Sequence, residues 1–382
     1  MVDINRVIDL HTKETGVLAI KPSFDVTNRT ELGEAYTPGV AELSKMINAD
    51  PTQKAKLTMS GKLVAIISDG SAVLGLGNVG PGASLPIIEG KALLYKNFAG
   101  VDAIPLAFEQ GSIDEFVATV KNMAPSFAGI HLEDIAAPRV FEIEKRLAAE
   151  LDIPVYHDDQ TGTAIVVLAG LINAAKVTNK ALTEMKIIIN GVGAAGVATA
   201  KILIAAGIKH LTLVDIDGVI HSTDHQYNPY QLDLLTAITP VKGQTLDDVI
   251  DDQDVFIGLS DANVLSTSQV ARMADKAIIM ALANPVPEIL PADALAAGAA
   301  VVATGSSQWA NQVNNILAFP GLFKGLLTSG LKSVDMELQI KVAQALASLI
   351  ATPDAENIVP GVFQAGVVDA VTNAVIEYSQ TK

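Results

Sequence analysis

The chain contains two regions in which short apolar runs alternate with amphipathic segments. Four runs in the first region have the length and composition of buried strands: 62–70, 103–111, 127–135 and 153–159. In the segments 112–124 and 139–151, apolar residues recur every three or four positions, which predicts helices. Strands that alternate with helices indicate parallel sheets whose two faces are covered.

The second region begins at 186–218 with a strand, a glycine turn, a helix and another strand, and three more apolar strands follow at 254–260, 277–285 and 300–306. The sequence therefore predicts an α/β protein with two parallel-sheet domains. Their expected bounds are 1–159 and 160–382, and the second has the pattern of a Rossmann-type dinucleotide-binding domain. Helices are expected near both termini, at 1–16 and 336–351.

Composition excludes several classes of function. The 382 residues carry a net charge of −16 with scattered lysines and arginines, so no basic surface for nucleic acid is expected. The apolar segment 163–176 is shorter than the roughly 18 residues of a membrane span, which predicts a buried helix and no membrane association. The chain has no cysteine, so any metal must be held by oxygen or imidazole. The absence of cysteine is also compatible with the cytoplasm, where we expect the protein.

The glycine turn "NGVGAAG" has the spacing of a nucleotide-binding fingerprint. Gly191, Gly193 and Gly196 follow a strand and begin a helix, and the next strand ends at Asp215. Such a turn presents backbone amides to a pyrophosphate, while the acidic residue binds the ribose 2′-hydroxyl. An acidic residue there repels a 2′-phosphate, so NAD is expected rather than NADP. A purely structural turn with an acidic strand end is the alternative.

Acidic residues follow two strands of the first region. Glu133 and Asp134 end one strand, and Asp158 and Asp159 end another. Because the carboxyl ends of parallel strands meet at one edge of a sheet, these carboxylates should repel one another unless a cation binds. Hard oxygen donors favour Mg²⁺ or Mn²⁺. Separate helix caps and solvated loop ends would produce the same pattern without a metal.

Two further side chains are candidates for proton transfer. Lys91 lies in an apolar helical segment, where burial can lower a lysine pKa and make the side chain a base; the alternative is that its ammonium reaches the surface. Tyr36 precedes a Pro-Gly turn that would fix its hydroxyl, although a packed aromatic is the more common role of a tyrosine taken alone. The glycine-rich loop 68–84 could bind a carboxylate or be structural.

Taken together, these motifs resemble the malic enzyme family, and specifically its small bacterial branch. The similarity covers about residues 30–325 and rests on eight segments in family order: "EAYTPGVA", "SDGSAVLGLGNVGP", "IEGKALLYK", "HLEDIAAPRVFEIE", "HDDQTGTA", "NGVGAAG", "ALANPVPEI" and "NQVNNILAFPG". The resemblance implies NAD-dependent oxidative decarboxylation of L-malate, a small dicarboxylate, to pyruvate and carbon dioxide. It also implies a divalent cation, and a homodimer or larger homo-oligomer is expected.

The resemblance assigns a role to each candidate residue. The implied metal ligands are Glu133, Asp134 and Asp159, and the implied catalytic residues are Lys91 as base, Tyr36 as the acid that protonates the enolate, and Asp158 beside the lysine. The expected nucleotide-binding residues are Gly191, Gly193, Ala194, Ala195, Gly196, Asp215 and Asn284. The expected substrate-binding residues are Asn284, Asn314 and Asn315.

One segment departs from the family pattern. Where the family has Arg-Ser-Asp-Tyr/Phe-Pro before "NQVNN", this chain has Ser306, Gln308, Trp309 and Ala310 within "GSSQWA". The change lies beside the expected nicotinamide pocket. The changed segment therefore leaves a second function open, in which the protein is a metal-dependent oxaloacetate decarboxylase of the same fold that oxidises little malate. A regulatory protein that senses nucleotides without catalysis is a more distant alternative, because sensing requires no set of strand-end carboxylates with a lysine and a tyrosine.

Overall fold

A computed structural model describes residues 3–73 and 75–382, so part of the predicted 1–16 helix and one residue of the 68–84 loop lie outside the described residues. The strands are β1 Leu63–Ser68, β2 Asp102–Ala107, β3 Gly129–Leu132, β4 Val155–His157, β5 Ile187–Asn190, β6 Leu211–Asp215, β7 Gly218–Val219, β8 Val255–Gly258, β9 Ile278–Ala281 and β10 Val301–Thr304. They form a four-stranded sheet of order β2-β1-β3-β4 and a six-stranded sheet of order β10-β9-β8-β5-β6-β7. All the pairings are parallel except that of β6 with β7.

Helices cover both sheets and form the terminal segments. They are α1 Ile4–Lys13, α2 Arg29–Ala35, α3 Gly39–Ala49, α4 Lys54–Leu57, α5 Gly80–Leu94, α6 Ile113–Met123, α7 Arg139–Glu150, α8 Thr163–Thr178, α9 Ala194–Ala205, α10 Pro229–Leu232, α11 Leu246–Val249, α12 Thr267–Val270, α13 Pro291–Ala296, α14 Phe319–Ser329, α15 Met336–Ser348 and α16 Val367–Ser379. The predicted α/β class with two parallel sheets and helical ends is confirmed. The domain boundary at residue 159 stays a prediction.

The long apolar segment after β4 forms the centre of the molecule. Helix α8 is buried on most of its faces because it packs against α9 and α15. This burial explains why its sequence is apolar throughout and does not alternate between an apolar and a polar face. The helical stretch Asp158–Thr178 is long and apolar enough to cross a membrane, but 78% of it is buried inside the fold, as in the core helix of a globular protein. One apolar core extends from the first sheet through α8 to the second.

The glycine turn follows β5, the strand between β8 and β6. Each of its three glycines has a different steric environment. A Cβ on Gly191, whose φ is +99°, would lie 2.5 Å from the Leu259 carbonyl oxygen, and a Cβ on Gly196 would lie 2.0 Å from the Gly191 oxygen. A Cβ on Gly193 would meet nothing within 4 Å. Two glycines are therefore needed for packing, and the third leaves the backbone open to a ligand.

Candidate active site

Two adjacent strands bring four carboxylates to one edge of the first sheet. Strands β3 and β4 are paired so that Leu132 is opposite His157, and both chains continue directly into acidic residues. Oxygen atoms of Glu133, Asp134 and Asp159 lie within 4.8 Å of one another. Asp134 adopts a left-handed φ of 54°, and its amide donates to the Asp159 Oδ2 atom at 3.0 Å. We call these three residues the acidic cluster.

The two neighbouring aspartates face different partners because they lie in a π-helical turn, Asp158–Gly162. Asp158 is fully buried and pairs with Lys91 through its Oδ2 atom, while Oδ1 accepts a 2.5 Å hydrogen bond from the Tyr156 hydroxyl. Asp159 belongs to the acidic cluster and lines a cavity. One aspartate therefore holds a lysine, and the other is available to a cation.

Lys91, on α5, is enclosed by polar groups and one ring. Besides its contact with Asp158, its Nζ atom lies 3.0 Å from Glu133 Oε1 and 3.5 Å from Asn315 Oδ1. It also lies 4.7 Å from the centre of the Phe319 ring. The lysine does not reach the surface, since its side chain is only 13% exposed.

Charges in the site shift several pKa values. Burial opposes the Lys91 ammonium, but Asp158, Glu133 and Asp159 outweigh burial and raise the pKa of Lys91. This direction is opposite to the lowered lysine pKa suggested by the sequence, because the sequence did not show how closely the carboxylates approach. Burial raises the pKa of Glu133 to about 7. The contact with His157 overcomes burial and lowers the pKa of Asp159 to about 2.

A layer of buried histidines and tyrosines holds these carboxylates. Burial lowers the pKa of His131 to about 3, and the neutral ring can accept from the Tyr95 hydroxyl at Nδ1 (2.8 Å) while Nε2 donates to Glu133 (2.6 Å). His157 Nε2 lies 3.0 Å from Asp159 Oδ2. Sequence reasoning missed this layer. The only available signal was that one histidine lies two residues before Glu133 and another lies two residues before Asp159.

A cavity of about 430 Å³ joins the acidic cluster to the glycine turn. Its lining includes Asp159, the turn residues Gly193, Ala194 and Ala195, and Asn284, Asn314 and Asn315. These predicted metal, nucleotide and substrate residues are therefore brought together. In the segment 305–310, which departs from the family pattern, only Gly305 lines the cavity. The lining residues do not include Ser306, Gln308, Trp309 or Ala310.

Asp215 ends β6 beside the glycine turn. Its Oδ1 atom accepts from the Ile216 amide at 3.0 Å, and its Oδ2 atom accepts from the Gln231 side-chain amide at 3.1 Å. The Gly191 amide donates to the Val214 carbonyl at 2.8 Å, which fixes the turn next to this strand end. The predicted ribose-binding carboxylate is therefore held in place next to the turn.

Tyr36 is not brought to the site within one chain. Its side chain is 68% exposed at the end of α2, and Tyr36 is not among the residues that line the cavity. Predicted metal, nucleotide and substrate residues share the cavity, but the predicted proton donor lies on the outer surface. That the Pro-Gly turn after Tyr36 fixes its hydroxyl stays a prediction.

Comparisons with known proteins agree with the geometry. The family model "Malic enzyme, N-terminal domain" matches residues 19–148, and "Malic enzyme, NAD binding domain" matches residues 160–380. An NAD-dependent malic enzyme of Geobacillus stearothermophilus is 45% identical over 95% of this chain and 76% of its own length. A bifunctional malic/malolactic enzyme of Bacillus subtilis is 46% identical over 96% of this chain and 91% of its own length.

Solved structures show the same similarity. The crystal structure of a malic enzyme from Pyrococcus horikoshii has a TM-score of 0.94 and 41% sequence identity, over 99% of this chain and 90% of that one. That of an NAD-dependent malic enzyme from Thermotoga maritima has a TM-score of 0.93 and 40% identity, over 98% and 99%.

Proposed function

Because the chain belongs to the malic enzyme family, we propose that it converts L-malate to pyruvate and carbon dioxide with NAD and Mg²⁺ or Mn²⁺. The observation that carries this proposal is the cavity that joins an acidic cluster to an open glycine turn. A dicarboxylate bound there would contact Asp159 of the cation site and the glycine turn at once. Lys91 lies directly behind this cavity, since its Nζ atom is 3.5 Å from Oδ1 of the lining residue Asn315. The segment 305–310 gives no particular support to the oxaloacetate decarboxylase alternative, because the residues in it that differ from the family pattern do not line the cavity.

The acidic cluster fits a hard divalent cation. Glu133, Asp134 and Asp159 offer only oxygen atoms, which Mg²⁺ and Mn²⁺ prefer, and their atoms converge within 4.8 Å. When bound, the cation polarises the C2 oxygen of the substrate and favours loss of carbon dioxide. His131 and His157 orient two of these carboxylates from behind, as outer partners of a metal site commonly do.

The glycine turn and Asp215 fit NAD. The backbone at Gly193 is open to a pyrophosphate, and Asp215 retains lone pairs for a ribose hydroxyl. NAD, when bound, accepts the hydride from C2. Asp217 and Asp224 also lie in this region, since both join Asp215 in raising the pKa of Tyr227, for which burial is the largest cause. This local negative charge disfavours a 2′-phosphate.

Proton transfer falls to Lys91 and Tyr36. Lys91 takes the proton of the C2 hydroxyl, and Asp158 holds its Nζ atom in position. Two of the three carboxylates that raise the lysine pKa belong to the acidic cluster, so a bound dication would weaken their effect. Tyr36 donates a proton to C3 of the enolate that remains after carbon dioxide leaves.

The proposed activity is tested with purified protein, L-malate, NAD and Mn²⁺. NADH and pyruvate are expected in equal amounts, and removal of the cation by a chelator should stop both. A parallel assay supplies oxaloacetate and Mn²⁺ without nucleotide. Release of carbon dioxide from oxaloacetate with no NADH from malate would contradict the proposal and support the oxaloacetate decarboxylase.

Asp159→Asn is expected to weaken Mn²⁺ binding at least about tenfold and to lower turnover, because the cation loses one charged ligand. Calorimetric titration with Mn²⁺, in the absence of substrate, measures the effect. Asp252→Asn is the control, since Asp252 pairs with Lys186 on the surface. Wild-type Mn²⁺ affinity in Asp159→Asn would show that Asp159 is not a ligand.

Asp215→Ala is expected to raise the Kd for NAD by roughly tenfold to a hundredfold, because the ribose loses its hydrogen bonds to a charged group. The Kd for NADP should change less, because the carboxylate that repels the 2′-phosphate is also removed. Asp233→Ala, on the exposed surface nearby, is the control. Equal changes for both nucleotides would contradict the assigned contact with the ribose.

The position of Tyr36 leads us to propose a homodimer. Residues 3–61 carry twelve of the twenty large apolar side chains that are exposed in the described part of the chain, and α1, α2, α3 and α4 contain no buried residue. We call this surface the N-terminal face. A concentration of exposed apolar side chains in one segment is what an interface requires.

A second copy of the chain, bound to the N-terminal face, would give Tyr36 a role in catalysis. Tyr36 lies on the N-terminal face, away from the cavity of its own chain. In a dimer it could instead protonate the substrate that is bound in the cavity of the partner subunit. In a two-fold dimer the exchange is reciprocal, so each subunit would supply its tyrosine to the other. We place this dimer in the cytoplasm, in keeping with a chain that has no cysteine.

A further inference from the structure

Gln231 forms the link between the two parts of the proposed nucleotide site. It lies on the short helix α10 and is only 7% exposed. Its Nε2 atom donates to the Val192 carbonyl oxygen at 2.8 Å and to Asp215 Oδ2 at 3.1 Å. One buried amide therefore joins the glycine turn to the carboxylate at the end of the next strand.

The orientation of this amide is fixed by its other end. Gln231 Oε1 accepts from the backbone amide of Asn228 at 3.1 Å and from its side-chain Nδ2 at 2.7 Å. Because both partners of the oxygen are donors and both partners of the nitrogen are acceptors, rotation of the amide by 180° would break all four contacts. The side chain can thus hold Asp215 in only one position.

The consequence concerns the direction of the Asp215 carboxylate. Of its two oxygens, Oδ1 is held by the Ile216 amide and Oδ2 by Gln231. A carboxylate held at both oxygens cannot turn away from a ribose, and a 2′-phosphate cannot displace it by rotation. We infer that Gln231 is a positioning residue that sets the preference for NAD over NADP through Asp215, an inference that rests on the proposed function.

The test compares Gln231→Met with Asp215→Ala and with the double variant, using calorimetric Kd values for NAD and NADP. Gln231→Met has similar length but cannot donate, and it should reduce the ratio of NADP Kd to NAD Kd about tenfold, the loss of one hydrogen bond to a charged group. In the Asp215→Ala background the same substitution should leave that ratio unchanged, because the group it positions is gone. With malate and Mn²⁺, the KM for NAD should rise while kcat stays close to wild type.

The chain offers a matched control for loss of a helix cap. Gln269 has the same place in the capping box of α12 that Gln231 has in that of α10, but its side chain is only partly buried and has no contact with the glycine turn or Asp215 among the described hydrogen bonds. Gln269→Met should leave both Kd values unchanged. If Gln231 only caps its helix, Gln231→Met will lower the melting temperature and weaken NAD and NADP equally, and the inference is wrong.

Failure of the inference can be told apart from failure of the proposed function. If the wild-type protein binds neither nucleotide, the proposed NAD site itself is wrong. If it binds NAD in preference to NADP and Gln231→Met keeps that preference, only the role of Gln231 is wrong. Should Gln231→Met fold poorly, Gln231→Leu is a second uncharged variant that cannot donate to Asp215, and it should reduce the ratio to a similar extent.

Discussion

Lys91→Arg is expected to lower kcat for malate oxidation about 10²–10⁴-fold, the contribution typical of a general base, while the protein stays folded. Arginine keeps a positive charge opposite Asp158 and Glu133, so the buried carboxylates retain a partner. Its guanidinium does not release a proton near neutral pH and cannot accept one from the substrate hydroxyl. NADH formation under saturating malate, NAD and Mn²⁺ measures the loss.

Two further variants separate the base from the ion pair. Lys91→Gln removes the charge as well as the base, so it should lose activity to a similar degree and also melt at a lower temperature, because Asp158 is left buried without its cation. Lys96→Arg is the control, since Lys96 pairs with Asp102 near the surface. Near-wild-type kcat in Lys91→Arg would show that the lysine acts only as a charge.

The elements of the fold could be predicted because local patterns determine them. The strand before Gly191 is a short run of isoleucines, and the helix after it begins at Ala194, directly after Gly193. Acidic residues at the ends of β3 and β4 could be placed at one edge because parallel strands all end on the same side. This general rule was sufficient to group Glu133, Asp134, Asp158 and Asp159, and the family resemblance then assigned Asp159 rather than Asp158 to the metal.

Contacts across the chain could not be predicted in the same way. Whether Asp158 or Asp159 faces the cation depends on a single π-helical turn, and both were plausible from the sequence. The raised pKa of Lys91 depends on its distance from carboxylates 42 and 67 positions away, and Gln231 contacts Asp215 across a loop. Such contacts are set by packing between elements, for which sequence periodicity contains no signal.

In the proposed homodimer, Tyr36 acts in the cavity of the partner subunit and not in that of its own chain. Activity should therefore be recovered when two inactive variants are combined. Tyr36→Phe and Lys91→Arg are each expected to have little malate activity as homodimers, because every site lacks one of the two groups. In a mixed dimer with exchanged tyrosines, one site combines the lysine of the first variant with the tyrosine of the second.

Unfolding the two variants together and refolding the mixture should thus restore about a quarter of wild-type activity, since random pairing makes half of the dimers mixed and one of their two sites complete. If each subunit uses its own Tyr36, every site in a mixed dimer still lacks one group, and the mixture stays as inactive as its parts. Wild-type protein refolded in the same way is the control for yield.

A second control, Leu43→Asp on the N-terminal face, should favour monomers in sedimentation analysis and lose activity although both catalytic groups are present. Full activity in a monomer would require Tyr36 to reach the cavity of its own chain.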